Sequence, residues 1–333
     1  MKALVTGAAG FIGSSVVREL LKGGVEVRVL VRESSDTRNL DGLDVEKVYG
    51  DVRDSESVRS ALKGCSLLYH GAALYAFWAP DNKAFYDVNV EGTKTVLNAA
   101  LKQGIDKVVY TSSIVAVGSH GADKPANEEA EFNLWGTGDH YARSKHLAEV
   151  EAMKICRQGL PLVIVNPAMV IGVRDIKPTP SGKMILDIVN RKMPGYIDGG
   201  INLVDVEDVA RGHVLAAERG RVGERYILGN ENMTVGGYFK LIGEIAGVKP
   251  PKLKIPYTAA ILLGYGYQLI ADMVKKPPIL TAPMVRTGSK YAYYDSSKAV
   301  NELGFTQTPI KVTIEKAINW FQESGYLKRT KSL

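Results

Sequence analysis

Residues 3–22 constrain this chain more than any other stretch. A short apolar run, Ala3–Thr6, meets three glycines, Gly7, Gly10 and Gly13, and passes directly into Phe11–Lys22, where apolar positions recur at helical spacing. A strand can turn on almost any polar residue. Three glycines at this spacing mean that something must come very close to the backbone. The first permits a tight turn, the second lets backbone N–H groups approach a pyrophosphate, and the third lets the helix pack closely on the strand. The phosphate then meets the positive end of the helix. Gly7, Gly10, Phe11, Ile12 and Gly13 are therefore assigned to a bound dinucleotide.

The same rhythm continues. Strands are predicted at Glu26–Arg32, Val45–Tyr49, Ser66–His70, Lys107–Ser112 and Pro161–Val165, and helices at Ser55–Leu62 and Asp87–Gln103. Strands alternating with helices imply parallel pairing with right-handed crossovers, hence an α/β doubly wound, Rossmann-like sheet. After Pro167 the rhythm breaks. A loop rich in Pro, Lys and Thr follows (175–182), and prolines recur from Pro250 to Pro283. The predicted division is a dinucleotide-binding domain of residues 1–170 plus a return segment, 201–230, and a smaller substrate-binding lobe of 171–200 and 231–333.

Bulk properties narrow the class. The chain has 333 residues, 45% hydrophobic and 23% charged, enough to bury a sizeable core. Its net charge of +6 reads as spread along the chain, with no long Lys/Arg block, which argues against nucleic acid and suits an anionic ligand. Two cysteines, Cys65 and Cys156, build neither a disulfide framework nor a metal site, so a reducing, cytoplasmic setting is expected. No signal peptide is expected at the N-terminus, and no window is long and apolar enough to predict a transmembrane span. The nearest, Thr258–Val274, reads first as a helix packed over a pocket and second as a peripheral membrane contact.

The end of the second strand bears on the choice of nucleotide. NAD binders usually place an acid there to bond the ribose 2′-OH. This chain has VRVLVRESSD, with Val31 at the acidic position and Arg32 after it. A guanidinium can hold a 2′-phosphate that an acid would repel. NADP(H) is favoured over NAD(H), with Arg28 and Arg38 as weaker phosphate candidates. Glu33 is the counter-candidate, aimed at the ribose if the loop takes another path.

The chemistry is read from YARSK, which sets Tyr141 and Lys145 four apart on one helix face. A phenol is a poor acid–base group at neutral pH unless a nearby cation favours the phenolate. With its pKa lowered by Lys145 and by an oxidised nicotinamide, Tyr141 could exchange a proton with a hydroxyl while hydride moves at carbon. VVYTSS ends a strand with Ser112 and Ser113, at the sheet edge where ligands sit. Ser113 is assigned to the reacting oxygen and Ser112 to the sheet interior. Tyr294 and Lys298 repeat the spacing, but no serine-tipped strand precedes them, and the repeat is read as coincidence.

The ordered set TGAAGFIG, GDVRD, YHGAA, NVEGT, VVYTSS and YARSK, continued by VNPAMVIG and INLVDVEDVA, resembles the extended short-chain dehydrogenase/reductases over about the first 230 residues. Within them the chain is similar to the dihydroflavonol-4-reductase-like group. WAPD, RDIKPTP and GERYILGNENMT resemble the bacterial hopanoid-associated sugar epimerase group. The resemblance implies that Asp51 and Val52 contact the adenine, and that Gly71, Ala72 and Ala73 line the cofactor near its ribose and nicotinamide. It implies further that Asn89 supports the network around the lysine, that Pro167 and Val170 border the nicotinamide, and that a homodimer is plausible. Arg32 departs from the acidic NAD signature of the sugar-nucleotide epimerases.

On the substrate side, Tyr75, Phe77 and Trp78 could form an aromatic wall or simply pack the lobes. Lys177, Thr179 and Arg286 are weak phosphate candidates, and His70 and His140 read as structural hydrogen bonders. The expectation is an NADP(H)-dependent oxidoreductase interconverting a carbonyl and an alcohol. The alternative is an NAD(P)-dependent epimerase or dehydratase acting on a nucleotide-sugar.

Overall fold

The computed structural model describes residues 1–328; the last five residues of the predicted substrate lobe, 329–333, lie outside them. The first half runs β1 (Lys2–Thr6), α1 (Phe11–Lys22), β2 (Glu26–Val31), β3 (Glu46–Tyr49), α2 (Ser55–Leu62), β4 (Leu67–His70), α3 (Lys83–Tyr86), α4 (Gly92–Gln103), β5 (Lys107–Thr111) and α5 (His140–Cys156). The chain continues through β6 (Leu162–Pro167), β7 (Met169–Ile171), α6 (Pro180–Val189), β8 (Gly200–Asp205), α7 (Val206–Arg219), β9 (Arg225–Leu228) and β10 (Glu231–Thr234). Helices α8 (Val235–Ala246), α9 (Tyr257–Val274), α10 (Ala282–Gly288) and α11 (Ile310–Glu323) complete it.

Seven strands pair in the order β3-β2-β1-β4-β5-β6-β9, all parallel. Parallel strands need helical crossovers, which cover both faces, so the central strands are largely apolar on both sides. β6 does this by alternation. Leu162 and Ile164 pack with α2, α4 and α5, whereas Val163 and Val165 pack with α1 and α7. Each such fully buried side chain contributes roughly 1.5–3 kcal/mol.

The sheet runs outward in both directions from the β1–β4 pair, so the topological switch point lies between their carboxyl ends. That is where a doubly wound sheet opens a crevice for a ligand. A second sheet, β10-β8-β7, pairs β10 antiparallel and β7 parallel to β8. With α6, α8 and α11 it encloses its own core around Ile185, Leu203, Phe239 and Phe321. The return to the large sheet, expected over 201–230, begins at α7, because β8 is paired within the small sheet.

The proline-rich final third is more regular than its composition suggests. Pro256 and Pro309 are N-caps of α9 and α11, and Pro283 sits in the first turn of α10. At those positions the missing N–H removes no helical hydrogen bond. The helix predicted over Asp87–Gln103 instead starts with a wide π-turn, Asp87–Glu91, ahead of α4.

Candidate active site

The glycine turn closes on the crevice as its spacing requires. Gly7 has φ +72°, a left-handed conformation that favours glycine. A Cβ on it would lie 2.6 Å from the carbonyl carbon of Gly71, just after β4. A Cβ on Gly13 would lie 2.2 Å from the Gly7 carbonyl oxygen, so only hydrogen fits between α1 and the turn. A Cβ on Gly10 would meet that same oxygen at 3.2 Å and, chain neighbours and the helix's own backbone aside, nothing else within 4 Å among the described residues. Gly10 is also the N-cap of α1 and has no side chain to satisfy the amides of Phe11, Ile12 and Gly13. These unfilled donors beside a backbone stripped of side chains fit the pyrophosphate of a dinucleotide.

Arg32 follows β2 directly and is exposed, as is Glu33. It lies close enough to Asp51 to help hold that carboxyl below its usual range, after the larger effect of Arg53. The two weaker candidates are committed elsewhere. Arg38 clasps Asp36 through Nε at 3.0 Å and Nη2 at 2.7 Å. Arg28 donates to the carbonyls of Ala61 and Lys63 and pairs with Glu46. Asp51 accepts from Arg53 Nε and Nη2 at 2.9 and 2.8 Å. Val52 is buried against the start of α4.

The loop after β4 is pinned from both sides. The Ala72 amide donates to Thr6 Oγ1 at 3.2 Å. The Leu74 amide donates to Asn89 Oδ1 at 2.7 Å, and Asn89 Nδ2 donates to Ser144 Oγ at 2.9 Å. The π-turn thus aims buried Asn89 at both the Gly71–Ala73 loop and α5. His70 bridges Thr6 and Thr93, and burial takes its pKa down to about 3, so it stays neutral. His140 bonds the Tyr86 hydroxyl. Both histidines are structural hydrogen bonders.

Ser112 and Ser113 face opposite ways. Buried Ser112 donates to Glu149 Oε2 at 2.6 Å. Ser113 accepts from the Val115 amide at 3.4 Å and lies near enough to the Tyr141 phenol to favour its ionised form. Burial is the largest influence on that phenol and raises its pKa; the nearby Ser113 hydroxyl opposes this, and Asp139 adds to it. The Lys145 side chain is hydrogen-bonded to β5. Its Nζ donates to the Thr111 carbonyl at 2.8 Å and to Tyr110 Oη at 3.2 Å. Burial takes the ammonium down to about 7, against the upward pull of Glu149.

A buried polar pillar under Ser113 was not predicted. Asn166 Nδ2 donates to the Ser113 carbonyl and to Glu149 Oε2, both at 3.0 Å. Arg225 holds the other oxygen of Glu149 at 2.9 Å. The available signals were weak: Glu149 lies one turn beyond Lys145, and Asn166 immediately precedes Pro167. Tyr294 Oη donates to the Ile114 carbonyl at 3.1 Å, and Lys298 pairs with Glu224 at 2.7 Å. The repeated Tyr-x-x-x-Lys spacing therefore serves the scaffold.

On the open side, the Tyr75 ring lies 5.1 Å from that of Tyr141 and 6.3 Å from Phe77. Trp78 reaches the other way, to Asp272 of α9. Thr179 is consumed as the N-cap of α6 and bonds Asp175, so it is no phosphate ligand. Arg286 contacts the Thr137 carbonyl and Tyr265, while Lys177 is exposed. Pro167 and Val170 are buried at the end of β6 and in β7.

Comparison with known proteins gives concordant results. A family model described as "NAD dependent epimerase/dehydratase family" matches residues 3–229. The "Putative dihydroflavonol 4-reductase" of Synechocystis sp. is 41% identical over 97% of this chain and 95% of that protein. "Sterol demethylase protein B" of Methylococcus capsulatus is 35% identical over 98% of this chain and all of that protein. The crystal structure of gox2253 superimposes with a TM-score of 0.88 and 41% identity, covering 98% of this chain and 99% of the other.

Proposed function

The chain belongs to the NAD dependent epimerase/dehydratase family, as an extended short-chain dehydrogenase/reductase and so an NAD(P)-dependent enzyme, and on that premise we propose that it reduces a carbonyl to an alcohol, or the reverse, with NADP(H). The observation that carries this reading is that Ser113, just past the carboxyl end of β5, sits near Tyr141 in the first turn of α5, beside the crevice.

The cofactor, when bound, supplies or accepts the hydride. Phe11, Ile12 and Gly13 would hold its pyrophosphate through their amides, Arg32 its 2′-phosphate, Asp51 and Val52 the adenine, and Lys145 the nicotinamide ribose. Gly71, Ala72, Ala73, Pro167 and Val170 would wall the nicotinamide side. Ser113 polarises the substrate oxygen. Burial keeps the Tyr141 phenol protonated at neutral pH, which suits it to give its proton to a carbonyl oxygen as hydride arrives at carbon. Tyr75 and Phe77 set an aromatic wall beside the phenol. That wall favours an apolar carbonyl compound, in keeping with a relative named for sterol chemistry.

A second reading, a sugar-nucleotide epimerase or dehydratase, is favoured by the description of the family itself. An epimerase retains one cofactor and returns the hydride to its own substrate; a reductase exchanges cofactor each turnover. Gel filtration of the purified protein followed by a carbonyl screen with NADPH and NADH separates them. Consumption of added NADPH supports the reductase. Stoichiometric cofactor that survives the column, with no consumption of added NADPH, rejects it.

A further inference from the structure

Helix α9 is packed the wrong way round for a surface helix in water. Such helices turn their large apolar residues inward. In α9 the buried positions are Ala260, Gly264 and Ala271. A Cβ on Gly264 would lie 2.7 Å from the Ala282 amide nitrogen, so the small-residue stripe is what seats the helix on α10. The large side chains point outward: Leu262, Leu263, Leu269, Ile270, Met273 and Val274 are all exposed, Met273 by 76%. Ile279, just beyond, is 80% exposed. A contiguous apolar surface of this kind marks an interaction site.

Charge identifies the occupant. Residues 245–290 hold seven Lys or Arg and one Asp, a net +6 that equals the net charge of the whole chain. The expectation of an evenly spread excess fails here: the other residues balance to zero. The one acid, Asp272, accepts from Trp78 Nε1 at 3.1 Å. Lys249 and Lys252 before the helix, and Lys275 and Lys276 after it, are exposed and have no carboxylate partner among the described residues. A second copy of the chain would bring the same unpaired lysines, Lys249, Lys252, Lys275 and Lys276, to meet their own kind.

We propose that α9 docks on an anionic lipid bilayer, with its large apolar side chains at the boundary of headgroups and acyl chains and its flanking lysines on lipid phosphates. At about 1.5 Å per residue the helix is about 27 Å long, and it lies in the plane of the surface. It does not span: no helix among the described residues is long and apolar enough to cross a membrane. The Trp78–Asp272 bond ties the docked helix to the aromatic run that ends at Tyr141. Docking therefore sets the open side of the crevice next to lipid.

The test is co-sedimentation of the full-length protein with vesicles, and it reads no turnover, so it stands or falls apart from the catalytic reading. The vesicles are phosphatidylcholine alone, or an equal mixture of phosphatidylcholine and phosphatidylglycerol. The protein is expected to partition onto the mixed vesicles and to be released by raised salt. The double variants Leu269→Ser/Met273→Ser and Lys275→Glu/Lys276→Glu should each lower partitioning by roughly tenfold or more. All four side chains are exposed, and thermal melting of each variant, expected to match the parent protein, checks the fold. Protein left in solution with both vesicle types overturns the proposal. So does an apolar double variant that turns a dimer into a monomer with no change in vesicle binding, since the face would then join two copies of the chain.

Discussion

The Lys145 ammonium, one turn along α5 from Tyr141, donates to the Thr111 carbonyl at 2.8 Å and so ties the helix to the end of β5. That bond places the cation in a buried site, where its pKa falls to about 7. An unfolded chain would hold this proton up to about 10.4. Between these values the unfolded state binds more protons, so folding stability gains as pH rises through the window, and the penalty is complete below about 7. Replacing Lys145 with Met removes the effect. The difference between the two proteins in unfolding free energy, read by denaturant titration, should shift by an amount on the order of a few kcal/mol between about pH 6 and pH 10. Parallel pH profiles would show that Lys145 is not a desolvated cation.

Tyr141→Phe keeps the ring against Tyr75 and removes only the hydroxyl. Turnover is expected to fall by roughly 10²–10⁴, with nucleotide affinity, read by fluorescence titration, unchanged. Turnover close to that of the parent protein would eliminate the phenol as the proton donor.

Arg32 stands exposed where Arg28 and Arg38 are already paired. Arg32→Asp should therefore weaken NADPH relative to NADH by at least roughly tenfold, since one charge-assisted contact is exchanged for a repulsion. Steady-state kinetics with both nucleotides measures this, and an unchanged preference would falsify the assignment.

Two glycines in the same turn should behave differently. Gly13→Ala forces a methyl to within 2.2 Å of the Gly7 oxygen, so it should lower stability by about 1–3 kcal/mol and weaken nucleotide binding. Gly10→Ala meets one oxygen at 3.2 Å. It should melt close to the parent protein while losing nucleotide affinity, because its methyl enters the space the pyrophosphate needs. Equal melting losses in the two variants would contradict the difference in packing.

Much of the glycine turn and its helix was legible in the chain because their signals are local. The spacing of Gly7, Gly10 and Gly13 and the periodicity of Phe11–Lys22 are set by neighbours a few residues away. Tyr141 and Lys145 were legible for the same reason, and so, misleadingly, were Tyr294 and Lys298. Spacing alone made these pairs equivalent. Only a contact across 180 residues, from Tyr294 to the Ile114 carbonyl, gave the second pair its scaffold role.

The sequence by itself determined the alternation of strand and helix, the glycine turn that opens the crevice, and the residue types available for proton transfer. These follow from backbone sterics and from side-chain periodicity within one element. The tertiary structure alone decided that Ser112 turns to Glu149 while Ser113 sits near Tyr141, that Asn166 carries the Ser113 carbonyl, and that Lys145 reaches Thr111. It also decided that α9 lies on its small residues with its large ones outward. Each of these depends on how separate elements dock. Docking is settled by the packing of whole faces against one another, which no short window of residues encodes.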